Sequence, residues 1–160
     1  MLSQELYISI IALMVSLISL FVSIKSYVQD HKRRKKQATI EFYNSICADL
    51  YDINASTDQI LGGTAPTIEN IQNNARLKAD VTKMLSTYER FSVGVNSGVF
   101  DLDLTDRMAG SYLIVLFTRF SPYIQEIRKD ASRKSSYVEF EHLVIEIKKR
   151  RSTYRNNGRM

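Results

Sequence analysis

Residues 6–24 read LYISIIALMVSLISLFVSI, nineteen positions without a charge. As a helix this run is about 28 Å long, close to the hydrocarbon thickness of a bilayer. A cleaved signal peptide fits it poorly. No basic region precedes it, and no small-x-small cleavage site follows it. The basic residues come afterwards, at Lys25, Lys32, Arg33, Arg34, Lys35 and Lys36. By the positive-inside rule, residues 1–5 then face outward and everything after the span is cytoplasmic. This is the layout of a single-pass membrane protein.

The charge distribution extends that reading. Residues 25–36 carry +5 and residues 148–160 carry +6, while residues 37–147 carry −5. The body is acidic between two basic ends, so the net charge of +5 implies no duplex nucleic-acid face. Lys32, Arg33, Arg34, Lys35 and Lys36 are expected to touch anionic lipid headgroups, at about 1 kcal/mol per residue. One cysteine and two histidines exclude a disulfide framework and a standard zinc site.

Within the span the small residues follow an order. Ser9, Ala12, Ser16, Ser19, Ser23 and Ser26 are spaced 3, 4, 3, 4, 3. That is an unbroken heptad seam, with bulky residues elsewhere. Small residues let helices approach closely in lipid, and hydroxyls can bond across the seam. The competing explanation is that each serine bonds its own i−4 carbonyl, which accounts for serine but not for its confinement to one face. The seam points to a homo-oligomer, with a tetramer as the working expectation.

From residue 37 helical periodicity resumes. Tyr43, Ile46, Leu50, Ile53, Thr57 and Ile60 form a stripe that stops at Gly62 and Gly63. Thr67 suits an N-cap, and Asn73-Asn74 a break. Leu77, Val81, Met84, Leu85, Tyr88, Phe91 and Val95 form an apolar face ending at Ser97-Gly98. Asp103 is expected to cap a helix whose core face is Leu104, Met108, Tyr112, Val115, Leu116 and Phe120. Ser121-Pro122 should end or kink it, with a short helix from Tyr123 to Ala131. Ser136 and Glu139 read as a capping box before a last helix carrying Phe140, Leu143, Val144 and Ile147. The expected fold is all-α, a transmembrane helix at 6–24 and a cytosolic bundle of about four to five helices over 37–151. Residues 152–160 are expected to be a disordered basic tail.

No catalytic constellation stands out, and no cofactor or metal is implied. His31 and His142 lack partner motifs. Cys47 reads as a small packed hydrophobe. Asp101, Asp103 and Asp106 lack the glycine and later glutamate of a calcium loop, and acids belong near a helix start in any case. Gly94, Gly98 and Gly110 read as close-packing or capping positions. One basic group remains as a candidate ligand site: Arg128, Lys129, Arg133 and Lys134, with Tyr123 and Tyr137 near enough for stacking on a base.

Residues 88–129 read YERFSVGVNSGVFDLDLTDRMAGSYLIVLFTRFSPYIQEIRK, and residues 136–147 read SYVEFEHLVIEI. Tyr88-Glu89-Arg90-Phe91, Gly94, Gly98-Val99-Phe100-Asp101 and Phe120-Ser121-Pro122-Tyr123-Ile124 carry a likeness. They resemble an uncharacterised bacterial family of single-span membrane proteins built around a domain of unknown function. The layout is also similar to small single-span CRISPR accessory effectors that bind cyclic oligoadenylate. That second likeness implies an oligomeric antiviral effector of type III CRISPR defence whose spans perturb the membrane when ligand binds; the missing catalytic constellation makes a cytosol-facing enzyme the least expected reading. The other expectation is an inner-membrane scaffold that tethers a cytosolic protein.

Overall fold

A computed structural model describes the backbone of residues 2–64 and 66–157, and the side chains of residues 4–64 and 66–154. The fold is all-α. Helix α1 spans Leu2–Leu61, α2 Ile68–Asn73, α3 Ala75–Asn96, α4 Leu102–Ile127 and α5 Val138–Asn157, with one 3-10 turn at Ala131–Arg133. No strand occurs among the described residues. The chain divides into two compact units, residues 1–37 and residues 38–160.

In the first unit, α1 has the length and composition of a membrane-spanning helix. Its apolar side chains, from Leu6 to Ile24, are all exposed, as lipid contact requires. Two seam serines satisfy their hydroxyls locally. Ser9 Oγ donates to the Glu5 carbonyl at 2.9 Å, and Ser23 Oγ to the Ser19 carbonyl at 2.8 Å. Such a bond lets a serine sit in an apolar helix while its oxygen can still accept.

The second unit is a helical body built around α3. Leu77, Val81, Met84, Leu85, Tyr88, Phe91 and Val95 are all buried, as their spacing predicts. Phe140, Leu143, Val144 and Ile147 of α5 meet them, and α3 and α5 are the most closely packed pair. The last turns of α1 add Leu50, Ile53, Thr57 and Leu61. The expected stripe differs only at its end, where Leu61 is buried and Ile60 is not. Gly62 and Gly63 follow at φ 56° and 77°, a left-handed backbone that glycine adopts without a Cβ clash. Thr67 Oγ1 then accepts the Asn70 N–H at 3.2 Å, and Asn74 Oδ1 the Leu77 N–H at 3.0 Å. The Thr67 cap is as expected, and the break expected at Asn73-Asn74 is made by Asn74, which ends α2 and caps α3.

Helix α4 departs from expectation in three ways. Its N-cap is Asp101, whose Oδ1 accepts the Leu104 N–H at 2.9 Å; Asp103 lies in the first turn. Its buried face is Thr105, Ala109, Leu113, Leu116, Phe120, Tyr123 and Ile124, leaving Met108, Tyr112 and Val115 outside. The run around LIVLF is apolar on both sides, so sequence alone leaves its rotation undetermined by about one position. Pro122 neither ends nor restarts the helix, which runs on to Ile127. Proline removes the bond to the carbonyl four residues back, that of Thr118. Thr118 and Pro122 both face solvent, so water can replace that bond, while Phe120, Tyr123 and Ile124 hold the following turn in the core. The expected separate helix from Tyr123 to Ala131 is therefore the end of α4 and the 3-10 turn.

Helix α5 also begins differently. Ser136 and Glu139 form no capping box. Tyr137 takes a positive φ of 59°, and α5 starts at Val138. Its first N–H groups are met from α3, where the Glu89 carboxylate accepts those of Glu139 and Phe140 at 3.2 and 2.8 Å. At the other end, α5 continues through Asn157, past the expected start of a disordered tail at residue 152. Residues 158–160 lie outside the described residues.

Candidate functional site

The six residues expected to form a ligand site do converge on one corner, where α4 turns back into α5. They divide between two roles. Arg128 is held on two sides: its Nε donates to the Ser136 carbonyl at 2.9 Å and a terminal nitrogen to the Glu141 carboxylate at 2.6 Å. It thereby ties the end of α4 to the loop and to α5. Tyr123 is only 7% exposed, and its hydroxyl bonds Thr82 of α3. Tyr137 is half-buried and bonds Ser86, one turn further along α3. Burial pushes both phenols above their ordinary pKa. The two rings are built into the fold rather than presented for stacking.

The remaining three cations face solvent. Lys129, in the turn just past α4, pairs with Glu126 of its last turn at 2.6 Å, a contact worth only a few tenths of a kcal/mol (~0.3–0.5) at such an exposed position. Arg133 and Lys134 are exposed at the end of the 3-10 turn. That turn is held by Asp130, whose Oδ1 accepts from the Ser132 N–H at 2.9 Å and the Ser132 hydroxyl at 2.8 Å. These two bonds keep the Asp130 carboxyl below its ordinary pKa.

The acids after α3 are likewise occupied. Asp103 pairs with Arg150 at 3.2 Å and Asp106 with Arg151 at 2.7 Å, so the basic end of α5 is clamped to the start of α4. Among the described residues no three of His, Cys, Asp and Glu form a group that could hold a metal. Gly110 is needed beside this clamp, because a Cβ there would run into the Asp106 carboxylate and the Arg151 guanidinium. Gly94 is needed under the Phe100 ring for the same reason. His31 and His142 are exposed.

One feature escaped the sequence reading. Tyr43, Cys47, Tyr51, Asn54, Tyr88 and Tyr112 line a hollow of about 410 Å³ between α1, α3 and α4. Tyr88 bonds Tyr112, and Asn54 Nδ2 donates to the Tyr112 hydroxyl. Partial or full burial raises the phenols of Tyr43, to about 12, and of Tyr88 and Tyr112. Tyr112 belongs to the outward stripe Met108, Tyr112, Val115, at i, i+4 and i+7 of α4. Tyr51 of α1, on the far rim of the hollow, is 76% exposed and Val115 66%. The three α4 positions carry large apolar or aromatic side chains in the sequence, at a spacing that predicts a core face; the structure turns them outward.

No curated protein and no solved structure matches the chain. A family model described as a domain of unknown function, DUF4760, matches residues 8–147, taking in the apolar segment and nearly all of the helical body. The chain belongs to that family.

Proposed function

We propose that this protein is a single-pass scaffold of the bacterial inner membrane, with residues 1–5 outside and the body in the cytoplasm, that tethers a cytosolic protein partner. The orientation rests on Lys32–Lys36 following the span. A cysteine introduced at Ser3, in a Cys47→Ser background, should react with a membrane-impermeant thiol reagent in intact cells; labelling only after lysis would reverse the orientation. The observation that carries the tethering role is the exposed aromatic and aliphatic face of Tyr51, Met108, Tyr112 and Val115. Exposed apolar patches on a soluble body mark places where another surface docks.

A photo-crosslinking side chain at Val115 of the full-length protein in cells tests this. The scaffold reading expects a discrete adduct whose mass is not a multiple of 18.4 kDa. Adducts only at multiples of that mass would make the face a contact between copies, and no adduct at all would remove the docking role.

A second reading, a membrane effector gated by cyclic oligoadenylate, keeps support from Lys129, Arg133 and Lys134, which face solvent together at one corner. In a homo-oligomer the patch would repeat around one axis. Isothermal titration of the full-length protein in lipid nanodiscs should then show salt-sensitive binding that Arg133→Ala with Lys134→Ala abolishes. No heat at high micromolar ligand would leave the scaffold alone.

A further inference from the structure

Aromatic rings lie between α1 and α3 at residues 42 and 43. Phe42 stacks on Phe91 with centroids 5.8 Å apart, and Tyr43 meets the same ring at 5.9 Å. The tyrosine hollow lies on one side of this row of rings. On the other lies a larger cavity of about 660 Å³. Its walls are Phe42 and Ile46 of α1, Val93 of α3, and Val99 and Phe100 of the turn into α4. Val93 and Val99 are 48% and 59% exposed, so the apolar wall is open to solvent.

The polar residues of the lining are not equivalent. Lys83 is taken by Asp49 at 3.1 Å. Arg90 is one turn before Val93 and also lines the cavity. Its guanidinium reaches the Thr87 hydroxyl at 3.4 Å, and it has no acidic partner among the ion pairs of the described residues. The Lys83–Asp49 pair ties α3 to α1 beside the cavity, and Val99 and Phe100 complete its wall. The volume falls in the range of small-molecule sites, about 300–1,000 Å³, which are mainly apolar with a few placed polar groups.

We propose that this cavity binds an amphiphilic anion: an acyl chain laid against Phe42, Ile46, Val93 and Val99, with a single carboxylate or phosphate head paired to Arg90. The same chemistry is available from a membrane phospholipid or from a free acyl anion.

The test uses the full-length protein in nanodiscs of zwitterionic lipid. In one arm a diazirine-bearing fatty acid is added from solution; in the other a diazirine-bearing phospholipid is built into the disc. Crosslinks are mapped by mass spectrometry after illumination. The expected result is labelling of the segment around residues 93–99 besides the span. It should fall about tenfold or more in Arg90→Gln, the worth of one charge-assisted contact. It should fall as far in Val93→Trp, which fills the cavity, and be retained in Arg90→Lys. Span labelling and helical content should stay the same in all three. Labelling near residue 93 from the disc arm assigns the ligand to the membrane, and labelling from the solution arm alone assigns it to a free acyl anion. No label near residue 93 in either arm, or label that all three variants leave unchanged, overturns the proposal.

Discussion

Glu89, in the third turn from the end of α3, caps α5 from the side: its carboxylate accepts the Phe140 N–H at 2.8 Å, and Phe140 is itself fully buried against Tyr88. A negative charge on the free N–H groups of a helix start is favoured by both hydrogen bonding and the helix dipole. Glu89 lies fifty residues before α5 in the chain, so the cap forms only when α3 and α5 pack. Glu89→Ala should destabilise the body by about 2 kcal/mol and Glu89→Gln by about 1 kcal/mol. Ser136→Ala should be close to neutral. Urea titration of the helical circular dichroism, on full-length protein in detergent micelles, checks the ranking. Equal losses for Ser136→Ala and Glu89→Ala would restore the local capping box.

Arg128 should behave as a structural residue. Removing its side chain strands the Glu141 carboxylate and the Ser136 carbonyl, at a cost of about 1–3 kcal/mol. Lys129→Ala, by contrast, should shift stability by less than about 0.5 kcal/mol. In a double-mutant cycle, Arg128→Ala and Glu141→Gln should be coupled by about 1 kcal/mol or more. Additive losses would mean the pair contributes nothing in solution.

Gly94 is fitted beneath the Phe100 ring, so Gly94→Ala should cost stability despite the better helix propensity of alanine. The gain is about 1 kcal/mol, and overpacking costs about 1–3 kcal/mol. Phe100→Leu in the same chain should recover part of the loss. Thermal melts of the three proteins decide it: a higher midpoint for Gly94→Ala alone would show that the ring moves aside freely.

Alkaline pH should unfold the body late and cooperatively. Tyr43 has its pKa raised from 10.0 to about 12 by burial, and burial raises Tyr88 and Tyr112 as well. A group raised in the folded state contributes stability that is fully present below its unfolded pKa, here about 10. That stability is lost as pH rises through the folded value. Phenolate absorbance from Tyr43, Tyr88 and Tyr112 should appear together with the loss of helix. Their ionisation near pH 10, with helix intact, would contradict the burial of this cluster.

The serine seam predicts how copies meet in the membrane. Ser16→Leu with Ser19→Leu should leave insertion intact, because leucine is favourable in lipid, and weaken close helix packing. Leu17→Val with Leu20→Val alters another face and serves as control. Crosslinking in membranes should fall only in the serine variant. Equal crosslinking in both would mean the seam is not an interface.

Much of this architecture is a property of the chain read locally. The apolar run at residues 6–24, the left-handed stop at Gly62-Gly63, the caps at Thr67 and Asn74 and the buried face of α3 each depend on residues within one or two turns of one another. Periodicity and capping chemistry act over that range. What the tertiary structure decided involves partners far apart in sequence. Pro122 stays helical because Phe120, Tyr123 and Ile124 around it are buried and Thr118, whose carbonyl loses its N–H partner, faces solvent. The rotation of α4, apolar on both sides, is set by where α3 and α5 lie. Arg128 is committed to Glu141, Arg151 to Asp106 and Glu89 to the start of α5, so charges that read locally as surface became ties between helices. Arg90 is the contrasting case: it lines an apolar cavity with Phe42 and Ile46 of α1, residues more than forty positions earlier in the chain.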